Sequence, residues 1–129
     1  MKIGVAVPCH ESDVQLLKIF GAGLSRLKPQ PSSIYININD GSEGMRKIVS
    51  SMYNQLFDDR CDVVLKASVD FYLSEHILAH VRDDFIVSFT PLALKLYDLT
   101  FALHRVFMPS QTWSGCYSIP KQIWYRIQD

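Results

Sequence analysis

The sequence predicts an α/β fold: a single domain over residues 1–129, built on a mostly parallel sheet of βαβ units flanked by helices. Three observations predict it. Lys2 to Val7 is a near-continuous apolar run, as in a strand buried on both faces. Ile34 to Asn39 alternates isoleucine with Tyr35, Asn37 and Asn39, then stops abruptly at Asp40-Gly41-Ser42, as a strand ending in a tight turn does. Between these runs, and again after the second, apolar residues recur at helical spacing.

Each element has a local cause. The first strand closes at Pro8. Ser12 to Gln15 has the Ser-x-x-Gln form of a capping box, and Leu16, Leu17, Phe20, Leu24 and Leu27 form the apolar stripe of the helix behind it. Gly21 and Gly23 fall inside that helix, so they do not open it as a phosphate loop; close packing on the sheet accounts for them. After Ile34–Asn39, Asp40 or Ser42 is placed to cap a helix from Glu43 to Phe57, whose apolar face is Met45, Ile48, Val49, Met52 and Leu56. Asp62 to Ala67 is a third strand, and Ser74 caps a short helix from Glu75 to Val81. Phe85 to Phe89 is a fourth strand. Thr90-Pro91 has the N-cap and first-turn proline that open a helix, continued from Leu92 to Phe107 as a core helix or a dimer contact. Gln111 to Ile119 reads as a last strand, and Pro120 opens a terminal helical turn through Arg126.

Composition narrows the function classes. Hydrophobic residues are 48% and charged residues 20%, the balance of a water-soluble globular domain. Thirteen basic and thirteen acidic residues cancel, which argues against a nucleic-acid or anionic-membrane partner. Cys9, Cys61 and Cys116 are odd in number and widely spaced, so neither a disulfide framework nor a zinc knuckle is indicated; reduced thiols in the cytoplasm are expected. The apolar N-terminal run is too short for a signal peptide, and Pro91 to Phe107 carries Lys95, Asp98, His104 and Arg105, so no membrane span is read.

Chemistry is expected at the strand ends, because ligands of α/β sheets collect where strands pass into loops. The polar residues there are His10-Glu11, Asn39-Asp40, Ser68 to Asp70 and Ser114-Gly115. In a parallel sheet Asp40 and Asp70 face one crevice, and two carboxylates there call for a cation or donors between them. A hard divalent ion shared with phosphate oxygens meets that need; the plain alternative is that Asp40 and Asp70 only shape turns. Lys66, close by, is either a phosphate contact or a solvated side chain. His76 and His80, four apart on the short helix, form a weak candidate metal pair. Cys9 beside His10 reads as a small buried residue rather than a nucleophile. Trp113 and Trp124 read as packing residues, with Trp113 also placed to stack on a sugar ring.

The order of motifs resembles family 2 glycosyltransferases of the GT-A fold. Val7-Pro-Cys-His-Glu11 stands for the family's Pro-x-x-Asn-Glu opening, and Asn39-Asp-Gly-Ser42 for its Asp-Asp-Gly-Ser turn. Ser68-Val-Asp-Phe-Tyr-Leu-Ser74 stands for its Asp-x-Asp with a following aromatic and Leu-Ser. Ser114-Gly-Cys-Tyr-Ser-Ile-Pro-Lys121 stands for its small-Gly segment with a following basic residue. Together they cover nearly the whole of what would be a minimal version of the domain. The resemblance implies a UDP- or GDP-linked sugar as ligand. Pro8 and Glu11 would line the nucleoside pocket, Asp40 would hydrogen-bond the base and Ser68 would contact the nucleotide. Asp70 would bind a Mn²⁺ or Mg²⁺ bridging the diphosphate, a Lewis acid for the leaving group. Trp113, Ser114 and Gly115 would face the sugar and acceptor, and the reaction would be transfer of the sugar to an acceptor hydroxyl.

Two departures from the pattern stand out. Ser68 replaces the first Asp of Asp-x-Asp. The family's general base follows the small-Gly segment, where this sequence has Lys121 to Asp129, and Asp129 at the end is a poor base; the catalytic residue stays unassigned. A catalytically silent nucleotide-binding or protein-interaction module, as a homodimer or with a partner protein, is therefore the competing reading. An unrelated doubly wound protein is the third.

Overall fold

The computed structural model describes residues 1–71, 73–89, 94–97 and 116–127, the segment 94–97 by its backbone. The spine of the sheet is β1 (Ile3–His10), whose first seven residues are all buried. It pairs in parallel with β2 (Ser33–Asn39) on one side and β3 (Val63–Lys66) on the other. The sheet is completed by β4 (Ile86–Phe89), β5 (Leu94–Tyr97) and β6 (Cys116–Pro120). Among the described residues the strand order is β2-β1-β3-β6-β4-β5.

This is an α/β fold, but its sheet is mixed rather than mostly parallel. β6 inserts antiparallel between β3 and β4, and β5 runs antiparallel to β4. The segment 94–97, expected in a helix, is therefore strand: Leu94-Lys95-Leu96-Tyr97 also satisfies the period of two, and pairing with β4 supplies the hydrogen bonds a helix would have made internally. The expected cap at Thr90-Pro91 and residues 98–107 lie outside the described residues, as do 111–115 of the last expected strand.

β1 runs on past Pro8 to His10. Ala6 accepts from the Ala67 N–H, so Ala6 faces β3; two residues on, Pro8 faces the same way, beyond Lys66 where the β3 ladder has ended. A missing N–H there breaks no ladder bond.

Helices cover both faces. On one lie a 3-10 turn (Glu11–Leu16) and α1 (Leu17–Ser25), sealing Val5, Val7, Cys9, Val63 and Leu65 under Phe20 and Leu24. On the other lie α2 (Met45–Asp58) and α3 (Lys121–Ile127), where Ile48, Val49, Met52, Tyr53, Leu56 and Trp124 pack on Ala6, Val64 and Ile119. Gly4 faces this second layer: a Cβ there would lie 2.8 Å from Cys61 Sγ and 3.2 Å from Leu56 Cδ2, so glycine lets α2 and the turn after it approach β1. Gly23 has a milder reason, a Cβ meeting the Leu73 carbonyl at 3.8 Å, and Gly21 has open space, so packing on the sheet does not explain that pair.

Three expected caps are replaced. The Ser12–Gln15 box does not form; the His10 ring accepts from the Ser12 N–H and begins the 3-10 turn instead. α2 starts two residues later than expected, behind Gly44 at φ +83°, with no side-chain cap. The short helix after Ser74 is a 3-10 turn over Ile77–His80 in which the Ser74 carbonyl accepts from the Ile77 N–H.

Candidate functional site

The carboxyl ends of β1 and β2 meet in an open cavity of about 400 Å³ lined by Glu11, Asn37, Ile38, Asn39, Asp40, Ser42, Glu43 and Ile48. Local hydrogen bonding builds it. Asn39 Nδ2 donates to the Cys9 carbonyl (3.3 Å) and to Asn37 Oδ1 (3.1 Å), while its Oδ1 accepts from Gly41 N–H (3.0 Å). Asp40 Oδ1 accepts from Ser42 N–H at 2.9 Å, and hydrogen bonds from Ser42 hold the Asp40 carboxyl below its usual range. Asp40 thus shapes the turn without capping α2. Gly41 is required at φ +83°, where a side chain would be strained and its Cβ would meet the His10 ring at 3.4 Å.

His10 is the clip between the two strand ends. Since its Nδ1 accepts from Ser12 N–H (3.1 Å), the ring proton belongs on Nε2, which donates to the Asp40 carbonyl at 3.1 Å. With these bonds made, the groups left open to a ligand are the carboxylates of Glu11, Asp40 and Glu43 and the amide N–H₂ of Asn37. Acceptors in such excess repel phosphate and match the N–H edge of a nucleobase or the hydroxyls of a sugar.

Of the expected nucleotide residues, the cavity gathers Glu11 and Asp40. Pro8 is buried within β1 and does not line it. Asp70 and Ser68 follow β3, on the far side of β1; with strands ~4.8 Å apart, the β2 and β3 ends are separated by about 10 Å. Asp70 is exposed and Ser68 half-buried. Trp113, Ser114 and Gly115 lie outside the described residues; Cys116, which follows them, begins β6 at the same edge of the sheet, since Tyr117 pairs with Lys66.

Compared with family models, with curated proteins and with solved structures, the chain matches none.

The end of β3 holds what sequence reasoning missed. Lys66 is not solvated: it is fully buried. Its Nζ lies 3.5 Å from Ser68 Oγ, at the long limit of a hydrogen bond, and 5.9 Å from the centre of the Tyr117 ring. Burial lowers the Lys66 pKa to about 8, against the attraction of Cys116 and Asp70. Burial likewise pushes the Cys116 thiol up to about 12. The signal was present in the sequence, because period-two alternation puts Lys66 on the same buried face as Val64.

This bears on the divalent ion that the motif order implies. Among the described residues no group of three or more His, Cys, Asp or Glu side chains is placed to hold a metal. One carboxylate plus substrate phosphates can suffice for Mg²⁺. At the end of β3, however, a buried ammonium lies within the Coulombic reach of the exposed Asp70 carboxylate, and the neighbouring ligand position is a neutral hydroxyl. That donor set fits an anion better than a dication. His76 and His80 form no metal pair either: both are exposed on a 3-10 turn, and His76 Nδ1 lies 3.3 Å from the Lys28 carbonyl. Cys9 is buried, its Sγ donating to the His10 carbonyl at 3.4 Å and its pKa raised first by burial. Trp124 packs edge-on to Tyr53 with centroids 5.0 Å apart and donates to Asn54 Oδ1 at 2.9 Å.

Proposed function

We propose that this chain is a nucleotide-diphosphate-sugar-binding domain of the GT-A type, serving transfer of the sugar to an acceptor hydroxyl. The observation that carries the reading is the cavity at the β1 and β2 ends, where Glu11 and Asp40, distant in sequence, line one wall with Asn37 and Asn39. A uracil or guanine edge offers N–H donors to these acceptors, and the diphosphate then extends along the strand ends toward Ser68, away from Glu11, Asp40 and Glu43. The acceptor side falls to Trp113, Ser114 and Gly115. Three free, buried cysteines support a reducing, cytoplasmic setting. No helix among the described residues is long and apolar enough to cross a membrane.

The test is a thermal-shift panel of UDP, GDP and their common sugar conjugates against the wild type and Asp40→Asn. A ligand at a hundred times its Kd adds about 2.7 kcal/mol to stability, a rise of several degrees in a domain of this size. One nucleotide class is expected to give that rise and Asp40→Asn, which keeps the turn-forming oxygen, to lose most of it. No rise with any nucleotide at millimolar concentration sinks the reading.

A second reading, an interaction module that keeps the fold without the chemistry, draws on β2. Ile34, Ile36 and Ile38 are 46%, 42% and 54% exposed, an apolar stripe on a strand at the edge of the described sheet.

A further inference from the structure

Lys66 closes β3 with its side chain inside the protein and its ammonium at the strand end where ligands of α/β sheets collect. A buried cation is costly unless counter-charge reaches it. Exposed Asp70 is one source of counter-charge, acting on the ammonium through its Coulombic field. An ammonium only donates, so Ser68 Oγ, at 3.5 Å, can only accept from it. The hydroxyl proton of half-buried Ser68 is then left for an acceptor on the solvent side, polarised by the cation beneath. Because the ammonium sits in protein rather than water, its field at the strand end is screened far less than that of a surface lysine.

We propose that Lys66, acting through the Ser68 hydroxyl, makes the end of β3 an anion site that takes a diphosphate group without a divalent cation. That the diphosphate belongs to a nucleotide rests on the function proposed above; the anion site does not. Lys66 is a positioning residue in it, and Ser68 the group that touches the ligand. Asp70 has the opposite role from the one the motif order implies: it competes with the bound anion for the ammonium and does not coordinate a metal that holds it.

The two roles differ in sign, which makes Asp70 the deciding position. Inorganic pyrophosphate is titrated calorimetrically into the whole chain in EDTA, comparing wild type with Lys66→Met, Ser68→Ala and Asp70→Asn, with folding of each checked by circular dichroism. Wild type is expected to bind. Lys66→Met, a change of similar volume that removes a buried charge, is expected to fold and to bind at least tenfold more weakly. Ser68→Ala is expected to weaken binding severalfold and Asp70→Asn to strengthen it severalfold. Binding that requires Mn²⁺ and is lost in Asp70→Asn overturns the proposal, and so does binding unchanged in Lys66→Met or absent in EDTA. A parallel titration with UDP and GDP separates the two failures. Nucleotide binding that persists only with Mn²⁺ leaves the nucleotide reading standing and this one fallen, whereas pyrophosphate binding without nucleotide binding does the reverse.

Discussion

Burial of a single lysine has a consequence for stability that is independent of any ligand. Unfolded, Lys66 keeps its proton to near 10.5; folded, it releases it near 8. Between those values the unfolded chain binds more protons, so stability rises with pH through this window and the cost is fully present below pH 8. The size of that cost at pH 7 is roughly 3–4 kcal/mol at most, taking ~1.4 kcal/mol for each pH unit that separates the two pKa values. Lys66→Met removes it. The variant is expected to be more stable than wild type at pH 7 by about 1–3 kcal/mol, with the gap narrowing as pH rises above about 8. Cys116, Tyr53 and Tyr117 have raised pKa values and pull stability down above about pH 9, but they do so in both proteins. Urea denaturation of both at each pH measures the gap; a gap that is constant with pH means that Lys66 is not held as a buried cation.

Among the strands whose burial is described, β2 is the one with large apolar side chains in solvent. Ile34, Ile36 and Ile38 lie directly beside Val5, Val7 and Cys9 of β1, which are 0%, 0% and 1% exposed. The layer of α1 and its 3-10 turn ends over β1, so the apolar floor continues onto β2 uncovered. Strands placed at an edge are ordinarily defended by lysine, proline or a bulge, and Ser33–Asn39 contains neither charge nor proline. Ile36→Lys is expected to lower concentration-dependent self-association, followed by sedimentation velocity, while costing less than about 1 kcal/mol because the site is already half in water. Association unchanged by the substitution clears β2 of that role. The isoleucine alternation was legible as a strand, and so were β1, β3 and β4, because β-branched runs bounded by turn residues need only local information. What could not be read was neighbourhood. Period two says that Cys116–Pro120 and Leu94–Tyr97 can be strands, but not that the first slots antiparallel between β3 and β4, since that is decided by which edge is vacant once the chain has folded back. Local signals also misled at the caps, where His10 and Gly44 displaced the Ser and Asp residues that sequence favours.

Across the fold, the late insertion of β6 ties the two ends of the sequence into one core. The tie is visible in the second layer, where Tyr53 of α2 and Tyr117 of β6, 64 residues apart, share a buried hydroxyl–hydroxyl bond of 2.6 Å. Tyr53 also stacks edge-on with Tyr117 and with Trp124 of α3, so one side chain joins three elements from opposite ends of the chain. Lys66 stands over the same Tyr117 ring, which places the proposed anion site directly on this clasp. Strand ends and motif order grouped Pro8, Glu11 and Asp40 in one pocket and set Asp70 at the same crevice; the fold gathers Glu11 and Asp40 at one cavity, keeps Pro8 inside β1 and puts Asp70 at a separate strand end, groupings that depend on strand order and not on local pattern. Tyr53→Phe removes one oxygen of the buried pair and leaves the other in an apolar setting, which costs about 1–3 kcal/mol. Tyr117→Phe is expected to cost a similar amount. If the pair closes the fold as a unit, the double substitution costs clearly less than the sum of the singles, because both singles break the same hydroxyl–hydroxyl bond, with a coupling of about 0.5–3 kcal/mol in a double-mutant cycle. Urea melts of the four proteins decide it. Additive costs would mean that α2 and β6 are held together by packing alone and that the hydroxyl bond is incidental to the clasp.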